Sequence, residues 1–546
     1  VMYNLARLHE AVAEVLPDNE CIVFRDRRFT WREVTDRTRR LASVLAAAGL
    51  GCHTERDVLS NWESGQDHVG LYLYNGNEYL EGMLGAFKAR CAPFNVNYRY
   101  VEKELLYLFE NSQAKVIIYH AAFAPVLEKL RDQLSGVKLW LQVADESGNA
   151  LLPGAVDYEE ALAAASPKPL SPALSNDDLY ILYTGGTTGM PKGVIWRNED
   201  IYKGALASGG VPESLEQFQE RVKARRPFRA LPTPPLMHGA AHWVAFNMWH
   251  VGATVVIQSE VERLDPDDIW STVERERVNA ITIVGDAFAR PLLDQLAKKQ
   301  YDLSSLTLVT SGGAIFTAAL KQDFLDAVPQ IKILDALGSS ETGSQGTHYS
   351  TQDSGATTGN FDMSDQNDVL RDDLTGVVEA GSNDIGWLAR RGHVPLGYFE
   401  DEAKTAKTFP EIEGVRYSVP GDRAMLEADG RLKLLGRDAV TINSGGEKIF
   451  AEEVELAIKG HPGVYDAVVC GTPNARFGSQ VTAIVQLRTG SQLSEDALKA
   501  HANQSIARYK LPRAVLFADT IVRAPSGKAD YRWARGYAMV ELGLEE

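Results

Sequence analysis

The segment Tyr183-Thr184-Gly185-Gly186-Thr187-Thr188-Gly189-Met190-Pro191-Lys192-Gly193 decides how the rest of this chain is read. It continues a short apolar run, residues 178–183, that reads as a strand. Its four glycines and three threonines offer backbone N–H groups and hydroxyls, and Lys192 stands near the end. That chemistry suits the oxygens of a polyphosphate. The Gly-Lys-Ser/Thr ending of a Walker A loop is missing. Taken alone, the string reads equally well as a surface turn. Its surroundings decide.

On either side, β-rich runs alternate with helical patterns. Residues 69–73, 114–119, 178–183, 253–258, 280–285, 306–311 and 332–337 read as strands. Residues 79–90, 126–134, 267–277 and 318–327 read as helices. Such alternation implies an α/β architecture with largely parallel sheets. From about residue 386 shorter strands and turns take over, and Asp429-Gly430 followed by 431–435 reads as one hairpin. A last α+β unit begins near 437: helix 451–459, strands 467–471 and 481–488, helix 495–506. The expected boundary at Asp438-Ala439 divides the chain into 1–437 and 438–546.

Composition narrows the function. With 546 residues, 45% hydrophobic and 24% charged, the chain can bury a large core. Lys plus Arg number 56 against 73 Asp plus Glu, a net charge of −17. That acidity argues against a nucleic-acid surface and against strong binding to anionic membranes. Cys21, Cys52, Cys91 and Cys470 lie too far apart for zinc spacing or a disulfide framework, and read as reduced thiols. The first residues show no signal-peptide pattern, and no apolar run approaches the roughly 18 residues needed to span a bilayer.

The eleven-residue string resembles the phosphate loop of the adenylate-forming superfamily, which includes acyl-CoA synthetases, adenylation domains and beetle luciferases. Further similarities follow in the family's order. Ser311-Gly312-Gly313-Ala314 resembles its adenine-side loop, and Leu337-Gly338-Ser339-Ser340-Glu341 its Tyr-Gly-x-Thr-Glu motif. Gly386-Trp387-Leu388 through Gly397-Tyr398 resembles the next motif. Pro420-Gly421-Asp422 and Gly436-Arg437 resemble ribose-binding positions. Ser444-Gly445-Gly446-Glu447-Lys448 opens the last unit and Pro525-Ser526-Gly527-Lys528 closes it. Residues 65–100 are most similar to actinobacterial ligases for long-chain or steroid side-chain carboxylates. The resemblance implies a large N-terminal domain of doubly wound α/β subdomains with a small β-barrel-like part. It also implies a small, mobile α+β C-terminal domain.

It implies two half-reactions as well, with ATP, Mg²⁺ and coenzyme A. A carboxylate attacks the α-phosphate of ATP to give acyl-AMP and pyrophosphate, and the thiol of coenzyme A then displaces AMP. Adenylation supplies the leaving group, so the protein contributes positioning and charge stabilisation rather than a nucleophile. Thr184, Gly185, Gly186, Thr187, Thr188, Gly189 and Lys192 would hold phosphates, with Gly312, Gly313, Ala314 and Ser340 beside the nucleotide. Glu341 is a hard ligand suited to Mg²⁺ on phosphates, against the alternative of a solvated loop acid. Asp335 would accept the adenine amino group or else cap a helix; Asp422 would accept from the ribose hydroxyls and Arg437 donate to the ribose or the α-phosphate, or else each would sit in a local salt bridge. His238 would line the carboxylate pocket or else be a packed core residue. Trp243 and Phe246, with Gly313, would border the acyl group or else belong to the core. Lys528 is the sharpest expectation: a cation bridging the substrate carboxylate and the α-phosphate. Gly445 and Gly446 would leave room for the pantetheine arm.

The pattern departs from the family at Leu337, where a tyrosine is usual, at Pro420, and at Ala439, so the hinge falls on Asp438 or Ala439. The leading expectation is a cytoplasmic ATP-dependent acyl-CoA ligase for a large apolar acid, long-chain fatty or steroid. The alternatives are an acyl-AMP ligase serving a carrier protein and a non-catalytic nucleotide- or acyl-binding protein. A homodimer and peripheral membrane contact stay open.

Overall fold

A computed structural model describes residues 2–544 apart from 172, 186–189, 445–446 and 525. The strands gather into three sheets. In one, Lys192–Arg197, Leu179–Thr184, Ala92–Asn95, His68–Tyr72, Ala114–His120 and Leu139–Val143 lie side by side, with Gly397–Tyr398 and Val156–Asp157 at the edges. The four strands from Ala92–Asn95 to Leu139–Val143 are parallel, and their apolar residues are buried on both faces.

The second sheet begins with Arg27–Thr30 and Glu20–Phe24. It runs through Thr254–Ile257, Arg229–Pro232, Ala280–Ile283, Leu308–Gly312 and Lys332–Ser339 in parallel register. It then turns antiparallel at Gly343–Ser350 and continues through Asn360–Met363, Leu432–Arg437, Asp422–Leu426 and Gly386–Arg391. This tail is where a barrel-like part is expected. Among the described residues it stays an open extension that ends at Glu411–Ile412 and does not close on itself. The Asp429-Gly430 hairpin forms as read, with Gly430 at φ +83° and Asp429 accepting from the Arg431 amide at 3.1 Å.

Local signals set the helices around these sheets. Asp265 caps Pro266–Glu276 by accepting from the amides of Asp267 and Asp268, and Pro266 opens the first turn. Gly285 begins the helix Gly285–Leu296 at φ +53°, and a Cβ there would strike the Ile315 carbonyl. The expected strand 280–285 therefore stops at Ile283. The third sheet, Glu447–Phe450, Thr441–Ser444, Gly478–Leu487, Val464–Asn474 and Ala514–Phe517, carries the small C-terminal domain. The helices Ala451–Lys459 and Glu495–Ala502 pack on it, and Tyr531–Glu541 covers a second apolar cluster around Val468 and Ile484. Among the described residues, no helix is long and apolar enough to cross a membrane.

Candidate active site

Thr184, Gly312, Asp422 and Arg437 among the expected site residues sit at strand ends, as α/β ligand sites do. Thr184 ends its strand opposite Lys192, so the two flank the glycine- and threonine-rich segment; Gly186, Thr187, Thr188 and Gly189 lie outside the described residues. Lys192 Nζ pairs with Asp401 Oδ2 at 2.5 Å. Gly312 ends the strand Leu308–Gly312 of the second sheet, and Gly313 follows at φ +82°, a left-handed conformation that suits glycine. Ala314 packs against the core beneath.

Beside Gly313 stands Lys528: a Cβ added to Gly313 would lie 3.5 Å from Lys528 Cε. A tight turn delivers the lysine. The Gly527 amide donates to the Ala524 carbonyl at 2.8 Å, and the Ala524 amide to the Lys528 carbonyl at 2.9 Å. Gly527, at φ +77°, nestles against Phe288 and Val284 of the large domain, where a Cβ would come within 3.2 Å. The cleft lowers the Lys528 pKa to about 8, first through desolvation and then through Arg437, while Glu341 and Asp422 act the other way. The side chain keeps an exposed surface in the open cleft, which tempers that depression.

Glu341 lies in the turn joining Lys332–Ser339 to Gly343–Ser350. Tyr398 Oη donates to its Oε1 at 3.0 Å, and Ser418 Oγ to its backbone carbonyl at 2.6 Å. Among the described residues, no cluster of three or more His, Cys, Asp or Glu forms a metal cage. One oriented carboxylate fits a magnesium ion whose other ligands are substrate phosphates and water. Asp422 and Arg437 face each other across the hairpin at 3.4 Å. Asp422 is held above the usual carboxylate range, first by burial, with the Arg437 charge opposing.

His238 caps the helix Gly239–Trp249 with its backbone alone. Among the described residues its Nε2 is buried without a partner, and burial plus the nearby Lys528 charge push its pKa down to about 3. It is a neutral imidazole beside the lysine. Trp243, partly exposed, donates Nε1–H to Tyr180 Oη at 3.0 Å. Tyr180 in turn bonds His242 Nε2, and His242 Nδ1–H donates to the Leu236 carbonyl at 2.7 Å. This chain fixes the indole. Phe246, by contrast, is 1% exposed and packs on Phe87, Trp249 and His250 in the interior. Asp335 is committed through one oxygen to buried Lys321, which also donates to the Thr357 carbonyl at 2.6 Å. Ser340 gives its carbonyl to Trp196 Nε1 at 2.9 Å. Gly445 and Gly446 lie outside the described residues.

Contacts between the domains hold Lys528 in place. Asp286, at the start of its helix, pairs with Lys459 of the small domain at 3.0 Å, each 3% exposed. Glu452 accepts from the Arg437 amide at 3.3 Å and lies against Gly436, and burial raises its pKa to about 8. Asp438 and Ala439 fall in a short 3₁₀ turn, Asp438–Val440, between the two. Tyr398, Asp401, Asp286, Lys459 and Glu452 carry no expectation in the sequence reading. Only Tyr398 lay inside a quoted motif.

With this geometry in hand, residues 9–393 match the AMP-binding enzyme family and residues 453–528 the AMP-binding enzyme C-terminal domain. The chain belongs to the AMP-binding enzyme family, the adenylate-forming enzymes. It is 51% identical to the medium-chain acyl-CoA ligase Mig of Mycobacterium avium over 98% of each chain. It is 40% identical to the 3-oxocholest-4-en-26-oate–CoA ligase of Rhodococcus rhodochrous, covering 97% of this chain and 95% of that one. The crystal structure of the anthranilate CoA ligase AuaEII in complex with anthranoyl-AMP shares the fold, with a TM-score of 0.84 at 22% identity over 100% and 98% of the two chains.

Proposed function

We propose that this AMP-forming acid–thiol ligase activates a large apolar carboxylic acid, a fatty acid or a steroid side-chain acid, and transfers it to coenzyme A. The names of its relatives support that substrate class and favour coenzyme A over a carrier protein. One observation carries the mechanistic reading: Lys528, from the small domain, reaches Gly313 within the field of Glu341, Asp422 and Arg437. An ammonium there offsets the repulsion between an incoming carboxylate and the α-phosphate, and stabilises charge that develops during transfer. Lys192 and Thr184 steady the outer phosphates, and Asp422 and Arg437 hold the ribose. Glu341, oriented by Tyr398, is the ligand for magnesium, which when bound neutralises phosphate charge. Neutral His238 borders the carboxylate without adding charge that would compete with Lys528.

In this reading residues 1–437 form the adenylating domain and 438–546 the mobile one, pivoting at Asp438-Ala439. Four free cysteines and the use of ATP and coenzyme A favour the cytoplasm. Light scattering and vesicle sedimentation decide the homodimer and the peripheral membrane contact. Pyrophosphate release with ATP and a panel of acids, with thioesters read by mass spectrometry, tests the reaction and the substrate together. Lys528→Ala is expected to lose ~10²–10³ in acyl-AMP formation and to keep thioester formation from supplied acyl-AMP. Equal loss of both steps in a variant with a normal melt contradicts the assignment.

A further inference from the structure

Trp196 lies on the strand Lys192–Arg197, four residues beyond Lys192 and on the same face by the two-residue period of a strand. Its side chain is fully buried, and a buried indole is by itself ordinary core packing. What distinguishes this one is where its two edges go. Nε1–H donates to the Ser340 carbonyl at 2.9 Å, one residue before Glu341. The benzo edge lies against Gly343, two residues after Glu341, where an added Cβ would stand 3.4 Å from Trp196 Cη2. The same edge meets Gly204, where a Cβ would stand 3.4 Å from Cζ3. A Cβ on Gly343 would also strike the Gly204 carbonyl at 2.7 Å, so bare backbone at both positions lets the indole seat against the turn.

The indole therefore holds the Glu341 turn on both flanks. Inside the turn, Thr342 Oγ1 accepts from the Ser339 amide at 3.0 Å, and Ser418 Oγ donates to the Glu341 carbonyl at 2.6 Å. Those bonds shape the turn itself. Trp196 ties its backbone to the strand of Lys192, and Tyr398, whose backbone pairs with Val194 of that strand, ties its carboxylate there.

We propose that Trp196 is a positioning residue for nucleotide activation. It fixes the Glu341 turn relative to Lys192, so that the metal ligand and the phosphate cation keep one register. This rests on the assignment of Glu341 to magnesium made above. Losing one neutral hydrogen bond to the turn then weakens the magnesium-dependent part of nucleotide binding roughly three- to tenfold.

The test is calorimetric titration of the full chain with α,β-methylene-ATP, once in excess Mg²⁺ and once in EDTA. The ratio of the two affinities measures what magnesium adds. Trp196→Phe keeps an aromatic ring and removes the donor. It is expected to cut that ratio roughly three- to tenfold. Affinity in EDTA and thioester formation from supplied acyl-AMP are expected to stay at the wild-type level. Trp249→Phe is the control: that indole is equally buried and donates to the Cys21 carbonyl at 3.2 Å, in the core beside His9 and Trp31. It is expected to lower the melting midpoint and to keep the ratio. Trp196→Tyr, which fills more of the space and likewise lacks the indole N–H, is the second variant if Trp196→Phe does not fold, with the same loss expected. Glu341→Gln calibrates the readout. If it leaves the ratio unchanged, the magnesium assignment falls and this proposal with it. If Glu341→Gln cuts the ratio and the Trp196 variants do not, this proposal alone is overturned. It is equally overturned if Trp249→Phe cuts the ratio as far as Trp196→Phe, or if neither Trp196 variant folds, because the indole then serves the fold.

Discussion

Asp286→Asn separates the closed arrangement from the fold. The amide keeps Oδ1, which accepts from the Thr317 amide at 2.8 Å and from Thr317 Oγ1 at 3.2 Å, so the helix start is preserved. What disappears is the charge facing Lys459, whose side chain is 3% exposed. Removing one partner of a buried pair costs about 3–5 kcal/mol. Glu455 and Asp466 still act on Lys459 from its own domain, which puts the cost at the low end, about 3 kcal/mol. On the proposed rotation Lys459 reaches water, so that cost falls on the docked state alone. Acyl-AMP formation is therefore expected to slow by roughly 10²-fold, while thioester formation from supplied acyl-AMP continues at the wild-type rate. Asp286→Asn combined with Lys459→Met is expected to recover most of the loss, since neither charge is then stranded. Stopped-flow pyrophosphate release and a separate thioester assay read the two steps. An equal effect on both steps, or a double variant no better than the single, refutes the reasoning.

Three further outcomes are expected. Tyr398→Phe removes a hydrogen bond to the Glu341 carboxylate, worth about 1.5 kcal/mol or more, and is expected to raise the KM for Mg²⁺-ATP roughly tenfold; an unchanged magnesium titration refutes the positioning role. Gly313→Ala meets Lys528, and its left-handed φ adds about 1–2 kcal/mol of strain. Acyl-AMP formation is then expected to drop equally for short and long acids, whereas a loss confined to bulky acids points to an acyl wall instead. Glu452 has a folded pKa of about 8 against an ordinary 4.5, so between these values the folded protein holds a proton that the unfolded chain releases. Stability should therefore fall as pH rises from 4.5 to 8, and Glu452→Gln should flatten that slope in thermal melts; a slope unchanged by the variant removes Glu452 from the account.

Much of the scaffold was legible because its strands carry their own signature. Residues 114–119 are apolar almost throughout, as a strand buried on both faces must be, and the strand spans Ala114–His120. The helix 451–459 coincides with Ala451–Lys459, and the Asp429-Gly430 turn with the hairpin it joins. Reading failed where a glycine changed the rule: Gly285 ends a strand and starts a helix within two residues. The linear motifs pointed to Lys528, Glu341, Asp422 and Arg437, which the structure brings into one another's field. Their partners left no trace, because Asp401 lies 209 residues from Lys192, and Tyr398 lies 57 from Glu341. A pair so separated has no periodicity to betray it. Phe246 shows the converse: aromatic spacing on a helix reads the same for a core position as for a pocket wall.

The small domain joins the large one through a single crossing of the backbone, between Arg437 and Thr441. Its position is otherwise held by side chains, and on the proposed rotation each catalytic cycle peels them apart and presses them back. A turnover of about 10 per second allows a barrier of about 16 kcal/mol. The Lys459–Asp286 pair and the Gly527 contact with Phe288 must yield within that limit. The interface therefore acts as a brake with an upper setting: a tighter seam makes a sturdier protein and a slower enzyme.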